Sequence, residues 1–149
     1  KNFKEYFLAE EPTMWPWMWK DNKGEFWRGS GEEGKGSGLG ALGAGIYFTW
    51  DEGMAKAFAK KFGGKVSKWA IKKGLKIVDA GGDFGAGDKE WVEIKKKMGF
   101  KNPKDWSNDR GYAKTLTHEL KQAGYDGALS DNKATGIVIF DKRNIKKIK

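Results

Sequence analysis

The sequence predicts an α+β domain, on three observations. Short runs of β-forming residues recur along the chain, at Glu25–Arg28, Ile46–Thr49, Val66–Ile71, Leu75–Val78, Ala128–Leu129 and Ile137–Phe140. Between them lie stretches with helical spacing of apolar residues, at Met54–Phe62, Lys89–Met98 and Tyr112–Ala123. No internal repeat and no composition break marks a linker, so the 149 residues read as a single domain, 1–149.

In chain order, Phe3–Glu10 has the pattern of a short helix. Trp15, Trp17 and Trp19 alternate around Pro16 and Met18, which predicts an extended segment with one indole face buried, at a sheet edge or outside a sheet. A glycine-rich stretch follows the first strand and ends at Gly43. Thr49 and Glu52 match the Thr-x-x-Glu capping box. The helix it would open carries Met54, Ala55, Phe58, Ala59 and Phe62 on one face and stops at Gly63-Gly64. Gly74 separates two strands, Gly81–Gly87 is a loop, and Trp91, Ile94 and Met98 form the stripe of the second helix. Asn102–Asn108, with Pro103, is a further loop. Leu116 and Leu120 mark the core face of the third helix, and Gly124 suits its C′ position. The end, Lys142–Lys149, reads as a solvated basic tail with Ile145 and Ile148 as its apolar anchors.

Composition narrows the chemistry. There is no cysteine, which removes disulfides, thiolate metal sites and a cysteine nucleophile. One histidine, His118, leaves no multi-histidine metal site, and its mid-helix place reads as surface. No metal is expected. No apolar run is long enough to span a bilayer and the N-terminus has no signal-type apolar region, so a soluble, non-membrane protein is expected. The formal net charge of +9 favours anionic partners, nucleic acid or phosphate-bearing cofactors. Eight tryptophans predict a core rich in indole rings.

Gly38-Leu39-Gly40-Ala41-Leu42-Gly43 spells G-x-G-x-x-G, but a strand follows it instead of a helix, so its context is wrong for a dinucleotide fingerprint. A loop at a cleft mouth is the better reading.

Three other blocks belong together: Phe26-Trp27-Arg28-Gly29-Ser30, then Gly43-Ala44-Gly45-Ile46-Tyr47-Phe48-Thr49, then Ala123-Gly124-Tyr125-Asp126-Gly127-Ala128 with Ile137-Val138-Ile139-Phe140-Asp141 and Ile145-Lys146. In this order they resemble the ADP-ribosyltransferase superfamily. The second block is similar to the Gly-x-Gly-Ile-Tyr-Phe signature of poly(ADP-ribose) polymerases. The first is similar to their Trp-His-Gly-Ser block with arginine for histidine, as in the arginine–serine–glutamate branch and in small phage and polymorphic-toxin transferases. The third looks like the ending of those phage and toxin domains. The likeness spans about Glu25 to Lys146.

The resemblance implies a split β-sheet core with flanking helices around an NAD cleft, and transfer of ADP-ribose from NAD, as co-substrate, to a macromolecular acceptor. It implies that Arg28 anchors the ribose or phosphates of NAD, a role suited to a planar fork of donors. Gly29 would let backbone groups meet the nicotinamide amide, Tyr47 would stack on the ring, and Ser30 and Phe58 complete the binding set. The family's catalytic glutamate falls at Gly136, where the sequence suggests a gap of carboxylate size. Asp131 or Glu119 could supply the missing charge, the chain could be a silenced enzyme, or it could bind without catalysing. A further alternative is a basic nucleic-acid-binding module. Protein or nucleic acid as acceptor is left open. A monomer, acting in the cytoplasm of a bacterial or phage-infected cell or delivered into one, is the expectation that goes with the resemblance.

Overall fold

The structure is a computed structural model that describes residues 25–30, 39–40, 42–82, 87–101, 110–132 and 135–148. The expected helix at Phe3–Glu10, the Trp15–Trp19 ladder and the Asn102–Asn108 loop lie outside the described residues. So do Gly38 and Ala41 of the glycine-rich stretch.

Nine strands and three helices are described. The strands are β1 (Glu25–Ser30), β2 (Leu39–Gly40), β3 (Gly43–Ala44), β4 (Ile46–Phe48), β5 (Lys65–Ile71), β6 (Ile77–Asp79), β7 (Gly127–Leu129), β8 (Ile137–Ile139) and β9 (Ile145–Lys147). The helices are α1 (Glu52–Phe62), α2 (Lys89–Lys97) and α3 (Arg110–Gln122), and a single 3-10 turn covers Lys142–Asn144. The α+β reading holds. Leu39–Gly40 pairs antiparallel with Gly43–Ala44, and the next described element is the strand β4, which agrees with setting the Rossmann fingerprint aside.

Two sheets carry the architecture. One is three-stranded, in the order β1–β5–β9, and all its pairs are antiparallel. The other is four-stranded, β4–β8–β7–β6, with β6 and β7 parallel. They meet edge to edge at a single bridge between Trp27 and Thr49, whose backbone groups exchange hydrogen bonds of 2.9 and 2.8 Å.

Alternation along each strand sorts the side chains. In the four-stranded sheet, Phe48, Ile77, Leu129, Ile137 and Ile139 face the three-stranded sheet and meet Phe26 and Ile71 in one buried cluster. The intervening residues, Val78, Ala128 and Val138, face the other way and pack under Trp91, Ala113, Leu116 and Leu120 of α2 and α3. Both faces of this sheet are covered, which is why its strands read as unbroken apolar runs.

Two local expectations change, and one feature appears that the sequence did not signal. Thr49 does not cap α1; both its backbone groups are spent on the bridge to Trp27. Asp51 is the cap, its Oδ1 accepting the Met54 N–H at 3.0 Å, while Thr49 Oγ1 accepts the Asp51 N–H. The basic end is not simply a tail: residues 145–147 pair with β5, and the Ile148 N–H donates to the Lys68 carbonyl at 2.7 Å. Finally, Lys95 is fully buried. Its ammonium donates to the Tyr112 hydroxyl at 2.7 Å and lies 4.1 Å from the Phe100 ring centroid.

Candidate functional site

The bridge at Trp27 and Thr49 is where the sheets begin to part. An antiparallel ladder continued from that pair would next set Gly29 opposite Tyr47. Among the described residues no such backbone pairing exists. Instead the Arg28 side chain crosses the split, and its Nη1 donates to the Tyr47 carbonyl at 3.1 Å. Arg28 and Tyr47, nineteen residues apart in sequence, are therefore brought together as the sequence reading required.

Arg28 is held from behind. Its carbonyl accepts the Ser67 hydroxyl at 3.3 Å, and Ser67 Oγ accepts the Trp69 indole N–H at 2.8 Å. The guanidinium is half-buried, and burial lowers its pKa from the ordinary arginine value. Among the described residues it forms no ion pair. A half-buried guanidinium uses one of its five N–H donors on a carbonyl here, and the remainder of its fork is suited to an anion.

Tyr47 is anchored more firmly than a ring waiting for a ligand needs to be. Its hydroxyl donates to the Gly43 carbonyl at 2.7 Å and accepts the Leu42 N–H at 3.0 Å. The ring leans on the α2–α3 core, and part of it stays open. Burial pushes the phenol well above its ordinary pKa, so it stays protonated across the working pH range. Thr117 of α3 grips the same turn from the other side, accepting the Ala44 N–H at 2.7 Å and donating to the Ala44 carbonyl. Residues 42–44 are thus pinned beside the split by two hydroxyls.

Gly29 also has a packing role that the sequence did not signal. A Cβ on it would lie 2.1 Å from the Ala55 carbonyl oxygen, so α1 sits directly on the strand there. Phe58, three residues along α1 from Ala55, is 42% exposed and packs at a tilt against Phe62, with ring centroids 4.6 Å apart. That is an unusual exposure for a phenylalanine one position before buried Ala59. Ser30 closes β1 opposite Lys65, and its side chain lies outside the described part.

Gly136 does not leave the expected gap. Its φ is +72°, and a Cβ there would fall 2.1 Å from the Phe48 carbonyl oxygen. The space is filled by the β4 backbone, so this position takes glycine and no acid. The two alternative acids have different surroundings. Glu119 is on the surface between α2 and α3, paired to Lys97 at 2.5 Å, which lowers its pKa. Asp131 lies in the turn from β7 to β8 that ends at Gly136, where the Ser130 N–H donates to the Gly136 carbonyl at 2.9 Å. It sits at the same sheet end as Gly136 but on the β6 side, its N–H donating to the Gly81 carbonyl at 3.0 Å. Asp79 is close enough for Asp88 and Asp131 to help raise its pKa, chiefly a result of burial. His118 is exposed on α3, as expected.

The chain matches no protein-family model, no curated protein and no solved structure. Among the described residues no cluster of three or more His, Asp or Glu could hold a metal ion, and no helix is long and apolar enough to cross a membrane. The buried Lys95 and the Ser67–Trp69 support of Arg28 were not foreseen from the sequence. The Lys95 cage draws on Phe100 and Tyr112, which local periodicity on α2 does not reveal.

Proposed function

We propose that this chain is an NAD-dependent mono-ADP-ribosyltransferase, acting as a soluble monomer on a macromolecular acceptor. The observation that carries the reading is Arg28: a half-buried guanidinium set across the split between two sheets, touching the carbonyl of the signature tyrosine at 3.1 Å. The first two of the sequence blocks that resemble the transferases flank this split. NAD is the substrate that the residues fit: Arg28 meets its anionic pyrophosphate, and the open parts of the Tyr47 and Phe58 rings offer flat apolar surface for nicotinamide.

In the reaction the bond between C1′ of the ribose and the nicotinamide nitrogen breaks, and nicotinamide leaves with the bonding pair. An acceptor nucleophile forms the new bond at C1′ and gives up its proton to solvent. The protein contributes position and charge. Arg28 orients the phosphates. The glutamate role cannot fall to residue 136, and Asp131, at that sheet end, is the acid to stabilise positive charge on the ribose.

The test is release of nicotinamide from labelled NAD, with and without cell lysate, for the wild type, Arg28→Ala, Arg28→Lys and Asp131→Asn. Asp131→Asn is expected to slow release by on the order of 100- to 1000-fold. Arg28→Ala should weaken NAD binding more than Arg28→Lys, since lysine keeps charge without the fork. A wild type that releases nothing above background, and binds NAD no better than Arg28→Ala by calorimetry, overturns the reading. Binding without release would leave a recognition domain on the same frame.

A further inference from the structure

The three-stranded sheet has an outer face that the two-sheet core does not use. Strand register places its residues in rows. The row Gly29–Val66 lies under α1, where Ala55 and Ala59 meet Gly29. Beyond the helix come two part-exposed rows: Trp27–Lys68–Ile148, then Glu25–Ala70–Lys146.

The chemistry of this patch is specific. Lys68 Nζ lies 5.5 Å from the centroid of the Trp27 ring and 2.8 Å from Glu25 Oε1, and its side chain is 34% exposed. Ile148 is 46% exposed, one of two large apolar residues left so open among those described. Lys146 is exposed beside it. The surroundings carry more cations than acids: Lys56, Lys60 and Lys61 on α1 and Lys72 and Lys73 after β5, against Glu25, paired with Lys68, Glu52, paired with Lys56, and Asp51. Cations on a flat surface call for a polyanion, and an indole with an isoleucine in the same row calls for planar apolar groups carried on it.

We propose that this outer face of β1, β5 and β9 binds single-stranded nucleic acid, with one base against Trp27, another against Ile148, and the phosphates along Lys68 and Lys146. Duplex is disfavoured because its bases are already stacked and hidden from the indole. The inference is independent of NAD: Trp27 and Arg28 project from opposite faces of β1, so the patch can bind whether or not the split turns over a substrate.

The experiment is fluorescence anisotropy of a labelled single-stranded oligonucleotide of about 16 nucleotides, without NAD, across a salt series. Variants are Lys68→Gln, Lys146→Gln, Trp27→Leu and Trp27→Phe, with Lys114→Gln, exposed on α3, as control. Circular dichroism checks that each is folded. Trp27→Leu should weaken binding by about tenfold or more and Trp27→Phe by less, since phenylalanine still stacks. Lys68→Gln and Lys146→Gln should each lower the slope of log K against log salt by about 0.7. Lys114→Gln should leave the slope unchanged. The proposal fails if Lys114→Gln acts like the patch variants, if duplex or polyglutamate competes as well as the single strand, or if folded Trp27→Leu binds like wild type. None of these outcomes bears on nicotinamide release, so the two readings fail separately.

Discussion

The four-stranded sheet and the three-stranded sheet are built from similar residues and do different work. Every described strand of the four-stranded sheet is packed on both faces: Ile137, Val138 and Ile139 are each fully buried, one row against the other sheet and the next against helices. The three-stranded sheet buries one face through Phe26 and Ile71 and leaves half of the other to Trp27, Lys68, Lys146 and Ile148. Stability therefore concentrates in the first sheet. The second can carry charge and exposed apolar groups on its outer side beyond α1, because little of the fold depends on them there, and it holds the half-buried Arg28 on its other face. The split lies at their junction, where one sheet supplies rigidity and the other supplies the cation.

The sharpest way to break that contrast is to truncate the same residue type in both sheets. Ile139→Ala should cost about 2–5 kcal/mol, because it opens a cavity in a fully buried strand. Ile148→Ala should stay within about 0.5 kcal/mol, as exposed substitutions do. Urea denaturation of the two variants decides it, and equal losses would mean that the outer face is covered in solution.

Next in size is Gly136→Glu. A left-handed backbone costs a non-glycine residue about 1–2 kcal/mol, and forcing atoms into filled space adds about 1–3 more. With φ at +72° and the Phe48 carbonyl in the way, the variant should melt well below wild type and release no additional nicotinamide. A stable Gly136→Glu with raised activity would show that the junction is softer than the packed sheet beside it.

These two sites also show what was legible in the sequence. Ile137–Phe140 announces itself as a strand because burial on both faces leaves an apolar run of strand length. The positive φ at Gly136 has no such signature: glycine spells a gap and a left-handed turn alike, and only the path of β4 distinguishes them. Likewise Thr49 carries a good capping pattern, yet its backbone is claimed by Trp27, twenty-two residues earlier, and the cap passes to Asp51. Strand β9 was hidden because its lysines resemble a tail, and its partner β5 lies far away in sequence. Arg28 and Tyr47 could be paired in advance because the blocks bearing them resemble a known arrangement. The crossing of the split by a side chain, in place of a ladder pair, could not.

Gly29→Ala probes the three-stranded sheet where it is covered. The added methyl meets the Ala55 carbonyl at 2.1 Å, so α1 must lift from β1. A loss of about 1–3 kcal/mol by thermal or urea denaturation is expected. NAD affinity should fall with it, since Phe58 rides on the displaced helix. A variant as stable as wild type would mean that α1 sits loosely on β1.

The smallest expected effect lies at the acidic end of the four-stranded sheet. Burial, helped by Asp88 and Asp131, raises the Asp79 pKa above its ordinary 3.8, although the Gly81 N–H bond to Oδ1 works the other way. The sign follows from which form the fold prefers. A raised carboxyl pKa means that the folded state favours the neutral acid, so the stability it contributes is fully present below the unfolded value near 3.8 and is lost as pH rises through the raised folded value. At neutral pH the wild type therefore carries an ionised Asp79 at some cost. Asp79→Asn removes the charge and retains an oxygen to accept the Gly81 N–H. It should be more stable than wild type at pH 7, by about 0.5 kcal/mol or less because the group is only half-buried and solvent screens it. That is about 1–2 °C in Tm for a domain of this size. The difference should shrink as pH is lowered towards 3.8, where the wild type becomes neutral as well. Paired thermal melts at pH 7 and pH 4 measure it. A wild type more stable than Asp79→Asn at pH 7 would mean that the carboxylate is stabilised by a positive partner, and that this end of the packed sheet is as open to charge as the outer face of the other.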